Sequence, residues 1–115
     1  MEAVMIAEIP LSLPEGLNPA ALYASTGEDK GDDVNVALGV RHGGAQGERQ
    51  KVYTALCAWL TVERCEALFG CRCSVTEFPT VHVVNLTAHG LLRFAHYDKQ
   101  GKSMGRRLLE YMRGR

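Results

Sequence analysis

Asp29, Lys30, Gly31, Asp32 and Asn35 fall within seven consecutive residues of a 115-residue chain. A lysine ammonium beside glycine backbone N–H groups can hold a carboxylate, a thioester or a phosphate. Asp32 in the same stretch can act as a base or as a metal ligand. The five residues also suit a plain hairpin tip, in which Gly31 takes positive φ, Asp29 and Asp32 bond the turn backbone and Asn35 braces it. The residues alone leave both readings open. They make Asp29, Lys30, Gly31, Asp32 and Asn35 the ligand-binding candidates and Asp32 a candidate catalytic residue.

His82 is the second catalytic candidate, because an imidazole titrates near neutrality and can serve as acid or base. Strand alternation sets His82 and Asn85 on opposite faces, so one pocket cannot take both without a bulge. Asn85 and His89 are secondary candidates, and His89 and His96 sit in loop or strand-edge context. No Ser, His and Asp arrangement carries a nucleophile-elbow motif. Neither Gly43-Gly44 nor Gly101 to Gly105 matches a dinucleotide or phosphate-loop fingerprint, so no cofactor is indicated. Cys71-Arg72-Cys73 is too close for a zinc knuckle, which wants two to four intervening residues, so no metal site is expected.

The elements that must position these groups follow from periodicity. Pro10, Pro14 and Pro19 make residues 1–19 an extended lead-in, ahead of a single domain over 20–115. Ala21 to Ser25 is a short strand, Gly27 to Asp33 a turn, and Val34 to Val40 a strand with apolar residues at period two. Val52, Leu56, Trp59 and Leu60 form the stripe of a helix over 48–59. Thr61 caps a second helix that shows Val62, Cys65, Leu68 and Phe69 to the core and ends at Gly70. Ser74 to Phe78 and Val81 to Leu86 are strands flanking Pro79, and Leu91 to Tyr97 is a further short strand. A last helix carries Met104, Leu108, Leu109 and Met112 on one side, with Ser103 or Asp98 as its cap. Strand pairs separated by helices predict an α+β two-layer sandwich, a mixed or antiparallel sheet with helices on one face and a ferredoxin-like order as the specific expectation.

Thirteen cations balance thirteen anions, and a general nucleic-acid binder would carry an excess of Lys and Arg. No apolar run approaches the roughly 18 residues of a membrane helix. No nucleic-acid or membrane partner is therefore expected. Met1 to Glu8 lacks the features of a secretory or mitochondrial leader, which predicts a cytoplasmic chain with reduced cysteines. Residues 1–33 hold seven acidic side chains against Lys30 alone, whereas residues 98–115 hold six basic ones against two acidic. That asymmetry can steer an anionic ligand or an acidic partner, or can be a solvated helix whose cations suit its dipole.

Gly27-Glu28-Asp29-Lys30-Gly31-Asp32-Asp33-Val34-Asn35-Val36 resembles the S-G-D-K-G-D-x-x-N-[IV] motif of the small C-terminal domain of the acyclic terpene utilisation family. Trp59-Leu60-Thr61-Val62-Glu63 with Leu68-Phe69-Gly70 resembles that domain's W-L-T-x-E segment. Glu77 to Leu86 resembles its E-L-P-x-L-H-A-L-N-F pair, and Asp98 to Gly105 its D-x-x-G-K-x-L-G helix entry. The likeness covers about residues 20–112. Two differences stand out: Glu28 is inserted in the first motif, and the family's glycine-rich stretch is reduced here to His89-Gly90-Leu91-Leu92-Arg93. The resemblance implies a small domain that works with a larger protein subunit or as a homo-oligomer, in breakdown of acyclic terpenoids or branched acyl-CoA compounds. It implies, alternatively, a small hydratase- or isomerase-like enzyme on an acyl-CoA or carboxylate, with Asp32 or His82 as acid/base and Lys30 as anion anchor.

Overall fold

The computed structural model describes residues 13–28, 33–42, 46–90 and 103–113. Strands β1 (Leu22–Glu28) and β2 (Val34–Val40) are followed by helices α1 (Gln46–Trp59) and α2 (Val62–Phe69). Strands β3 (Cys73–Phe78) and β4 (Val83–Ala88) and helix α3 (Met104–Met112) complete the order. The strands form one antiparallel sheet in the order β1-β2-β4-β3.

β2 and β3 therefore run parallel with β4 between them, joined through α1 and α2. β4 and β1 likewise run parallel with β2 between them, and α3, which follows β4, packs on β1. The β2–β3 connection is a split βαβ unit; β4, α3 and β1 have the arrangement of a second, although β1 comes first in the chain. The strand order is that of a ferredoxin-like sheet with its last strand moved to the front, which is why the chain reads ββααββα rather than βαββαβ.

Val34, Val36, Leu38 and Val40 of β2 and Val84, Leu86 and Ala88 of β4 are buried in one core with Leu56, Leu68, Met104 and Leu108 from the helices and Leu60 from the α1–α2 link. All three helices cover that one face. Gly105 sets how closely α3 can approach. Its N–H donates to Thr26 Oγ1 at 2.7 Å, and a Cβ there would stand 2.6 Å from that oxygen and 3.2 Å from Ala24 Cβ. The Thr61 hydroxyl accepts from Arg64 N, and Gly70 closes α2 at φ 68°. Ser103 caps α3 by accepting from Arg106 N at 3.3 Å.

Four details differ from expectation. β1 continues through Gly27 and Glu28, because pairing with Asn35 and Val34 outweighs the weak strand preference of glycine. β4 begins at Val83, since Pro79 has no N–H to give a ladder and opens a 3-10 turn over Pro79–Val81, closed by His82 at φ 55°. Val62 stays 37% exposed, as a side chain at the first helical position leans back past the helix start. Tyr53, outside the anticipated stripe of α1, is buried. Residues 91–97, with the further strand expected there, lie outside the described residues, as does Asp98. No helix among the described residues is long and apolar enough to cross a membrane.

Candidate functional site

The register of the three inner pairings fixes which side chains meet on the face away from the helices. Asn35, Thr87 and Ser74 form one cross-strand row, continued on β1 by Gly27. Ala37, Asn85 and Thr76 form the next with Ser25, and Gly39, Val83 and Phe78 the third with Tyr23. Beyond the first row, Asp33 precedes β2 and His89 follows β4. The His89 N–H donates to Arg72 O at 2.8 Å, which extends the ladder by one pair.

At that end Asp33, His89 and Ser74 form a connected network, beside a separate Thr87–Asn35 pair. Asp33 Oδ2 lies 3.1 Å from His89 Nδ1, and Asp33 Oδ1 accepts from Gly90 N at 2.9 Å. His89 Nε2 lies 2.8 Å from Ser74 Oγ. The Thr87 hydroxyl donates to Asn35 Oδ1 at 2.6 Å. The Gly90 N–H and then His89 hold the Asp33 carboxyl below its ordinary value of 3.8. An ionised carboxylate only accepts, so the Nδ1 facing it carries the proton and, in the neutral ring, Nε2 accepts from Ser74. Asp33 and His89 are each a little over one-quarter exposed and Ser74 is open to solvent, so the network can meet a ligand.

Asn35 and His89 thus belong to this end of the sheet. Asp29, Lys30, Gly31 and Asp32 lie outside the described residues, as does His96. Asn85 sits in the middle row, half-buried. His82 is 3% exposed on the opposite, helix-covered side, its Nε2 3.2 Å from Gln50 Oε1 and its ring edge-on to Tyr53 at 5.5 Å. His82 and Asn85 do lie on opposite sides, but His82 precedes β4 at the end of the Pro79–Val81 turn, so the turn and not strand alternation sets its side.

Ser74 and Asp33 escaped the reading of the residues as site members because no local motif joins them. The hairpin after Pro79 is centred between Thr80 and Val81, and that register brings Ser74 opposite Thr87 and next to His89. The four cysteines are free thiols. Burial, the main cause for each, pushes the Cys65 thiol up to about 12 and raises those of Cys57, Cys71 and Cys73. Among the described residues no three His, Cys, Asp or Glu side chains converge as a metal-binding group. A surface cleft of about 590 Å³ lined by Asn18, Pro19, Ala20, Arg41, Met112 and Arg113 lies at the other end of β2, away from the Asp33 network.

Neither a family model, nor a curated protein, nor a solved structure matches the chain.

Proposed function

We propose that this chain is a small binding and assembly module that works with a larger protein subunit or with copies of itself. The observation that carries the reading is the outer face of the sheet. Its three cross-strand rows comprise Gly27, Asn35, Thr87, Ser74, then Ser25, Ala37, Asn85, Thr76, then Tyr23, Gly39, Val83 and Phe78, without one charged side chain. Yet charged residues make up 23% of the sequence.

An antiparallel sheet can leave one face to water, and a solvated face ordinarily reads polar with charges. Charge depletion around small and aromatic residues is instead the composition of an interface centre. Phe78 at 48% and Val81 at 58% exposure add apolar area at one end. Small side chains in the middle rows let another backbone or sheet approach closely. The resemblance to the small domain of acyclic terpene utilisation proteins supports the same reading, since that domain is joined to a larger one. An acyl-CoA or carboxylate is the ligand class that goes with this resemblance.

The reading is tested by Ala37→Arg, which sets a charge at the centre of the face. Ala37 is half-buried in a central strand, so the thermal midpoint of the variant is measured beside its assembly. The variant is expected to keep its thermal midpoint and to lose its partner or its copies in native mass spectrometry. An assembly that survives the substitution would remove the face from the account.

A further inference from the structure

We propose that Ser74, His89 and Asp33 form an acyl-accepting site for activated acyl groups, small thioesters first among them. Three roles are filled. Ser74 supplies an exposed hydroxyl, 2.8 Å from His89 Nε2. His89 is the base, and its other ring nitrogen is held 3.1 Å from Asp33 Oδ2. Asp33 is a positioning residue, fixed in turn by the Gly90 N–H at 2.9 Å. A nucleophile on a base on an orienting carboxylate is the arrangement that activates a hydroxyl, and it is recognised by geometry rather than by sequence order.

The three groups stand on a rigid frame. Ser74 faces Thr87 in the β3–β4 register, while Asp33 and His89 flank the Val34–Ala88 pair of β2 and β4. The relay therefore holds only while all three strands stay in register. Ser74 also belongs to the first row of the outer face, so this site is open to a ligand in the free chain.

The chemistry is limited by what surrounds the serine. The His89 N–H is committed to Arg72 O and the Gly90 N–H to Asp33, so neither can stabilise an oxyanion at Ser74. Reaction is then confined to acyl groups with a good leaving group, a thiolate or a phenolate, rather than amides. Arg72 provides a cation near the cluster, exposed and close enough to act electrostatically on Asp33, which favours anionic acyl donors.

In the acylation step the Ser74 oxygen forms a bond to the acyl carbon and the carbon–sulfur bond breaks. The hydroxyl proton passes to His89 Nε2 and from there to the departing thiolate. The products are a Ser74 ester and a free thiol. Attack of water on that ester, with His89 again taking the proton, returns the serine and releases a carboxylic acid. No oxidant or metal enters the balance.

The test is incubation of the full chain with acetyl-CoA and, separately, with p-nitrophenyl acetate, followed by peptide mass spectrometry and timed phenolate release. The expected result is an acetyl group on Ser74, or continuing phenolate release, absent from Ser74→Ala. His89→Asn is expected to slow acylation by about 100-fold. Asp33→Asn should slow it less and displace the pH profile of the rate, which a purely structural tie would not do. Circular dichroism checks the fold of each variant, and Ser74→Ala, at an exposed position, carries the test if a partner variant unfolds. Acetyl groups found only on cysteine or lysine, or a phenolate burst unchanged in Ser74→Ala, would overturn the proposal.

Discussion

Nδ1 of His89 lies 3.1 Å from Oδ2 of Asp33 although 56 residues separate them, and each is the chain neighbour of one member of the Val34–Ala88 pair of β2 and β4. This one pairing ties the start of β2 to the end of β4 and aims the free edge of the imidazole at Ser74.

The tie makes part of the stability acid-sensitive. The folded-state pKa of Asp33 is depressed, by Gly90 and then His89, below its ordinary 3.8. The stabilisation is therefore complete above that ordinary value and is lost as pH falls through the depressed one. Urea unfolding followed from about pH 6 to about pH 2 should show the acid limb flatten in Asp33→Asn. An identical acid limb in both proteins would contradict the bond.

Gly105 is a close contact between α3 and β1, with its N–H on Thr26 Oγ1. A methyl group added there must push the helix away or turn the threonine. Gly105→Ala is expected to cost about 1–3 kcal/mol, as overpacking does. Combined with Thr26→Ala it should cost less than the two changes added, because both act on one contact. Strict additivity in urea titrations would show that the helix does not rest on this point.

Burial pushes the Cys65 thiol up to about 12 and raises the other three as well. Thiolate is the reactive form, so alkylation by iodoacetamide near neutral pH should be slow in the native chain. Cys57 and Cys71, which are half-buried, should react first, and the buried Cys65 and Cys73 only after unfolding. Rapid native labelling of Cys65 would contradict the packing of α2 on the sheet.

Local signals were legible wherever neighbours in sequence decide the structure. Period-two valines marked β2 from Val34 to Val40, and Thr61 and Gly70 marked both ends of α2. Properties set by pairing at a distance were not. Gly27 and Glu28 look like turn residues until β2 pairs with them. Val81 looks like strand until Pro79 and His82 bend the backbone beneath it. Pro79 marks a turn between β3 and β4, but Ser74 comes beside His89 only because the hairpin is centred between Thr80 and Val81. Asp33 joins them only because β4 inserts between β2 and β3, a choice of strand order that no local pattern records.

Native mass spectrometry of the chain purified gently from its own cells shows whether the uncharged outer face is a docking surface. The expected result is a stoichiometric assembly, with a larger subunit or with identical copies, that falls to monomer on Ala37→Arg while the thermal midpoint stays put. A monomer before any substitution, or an assembly indifferent to Ala37→Arg, would contradict it.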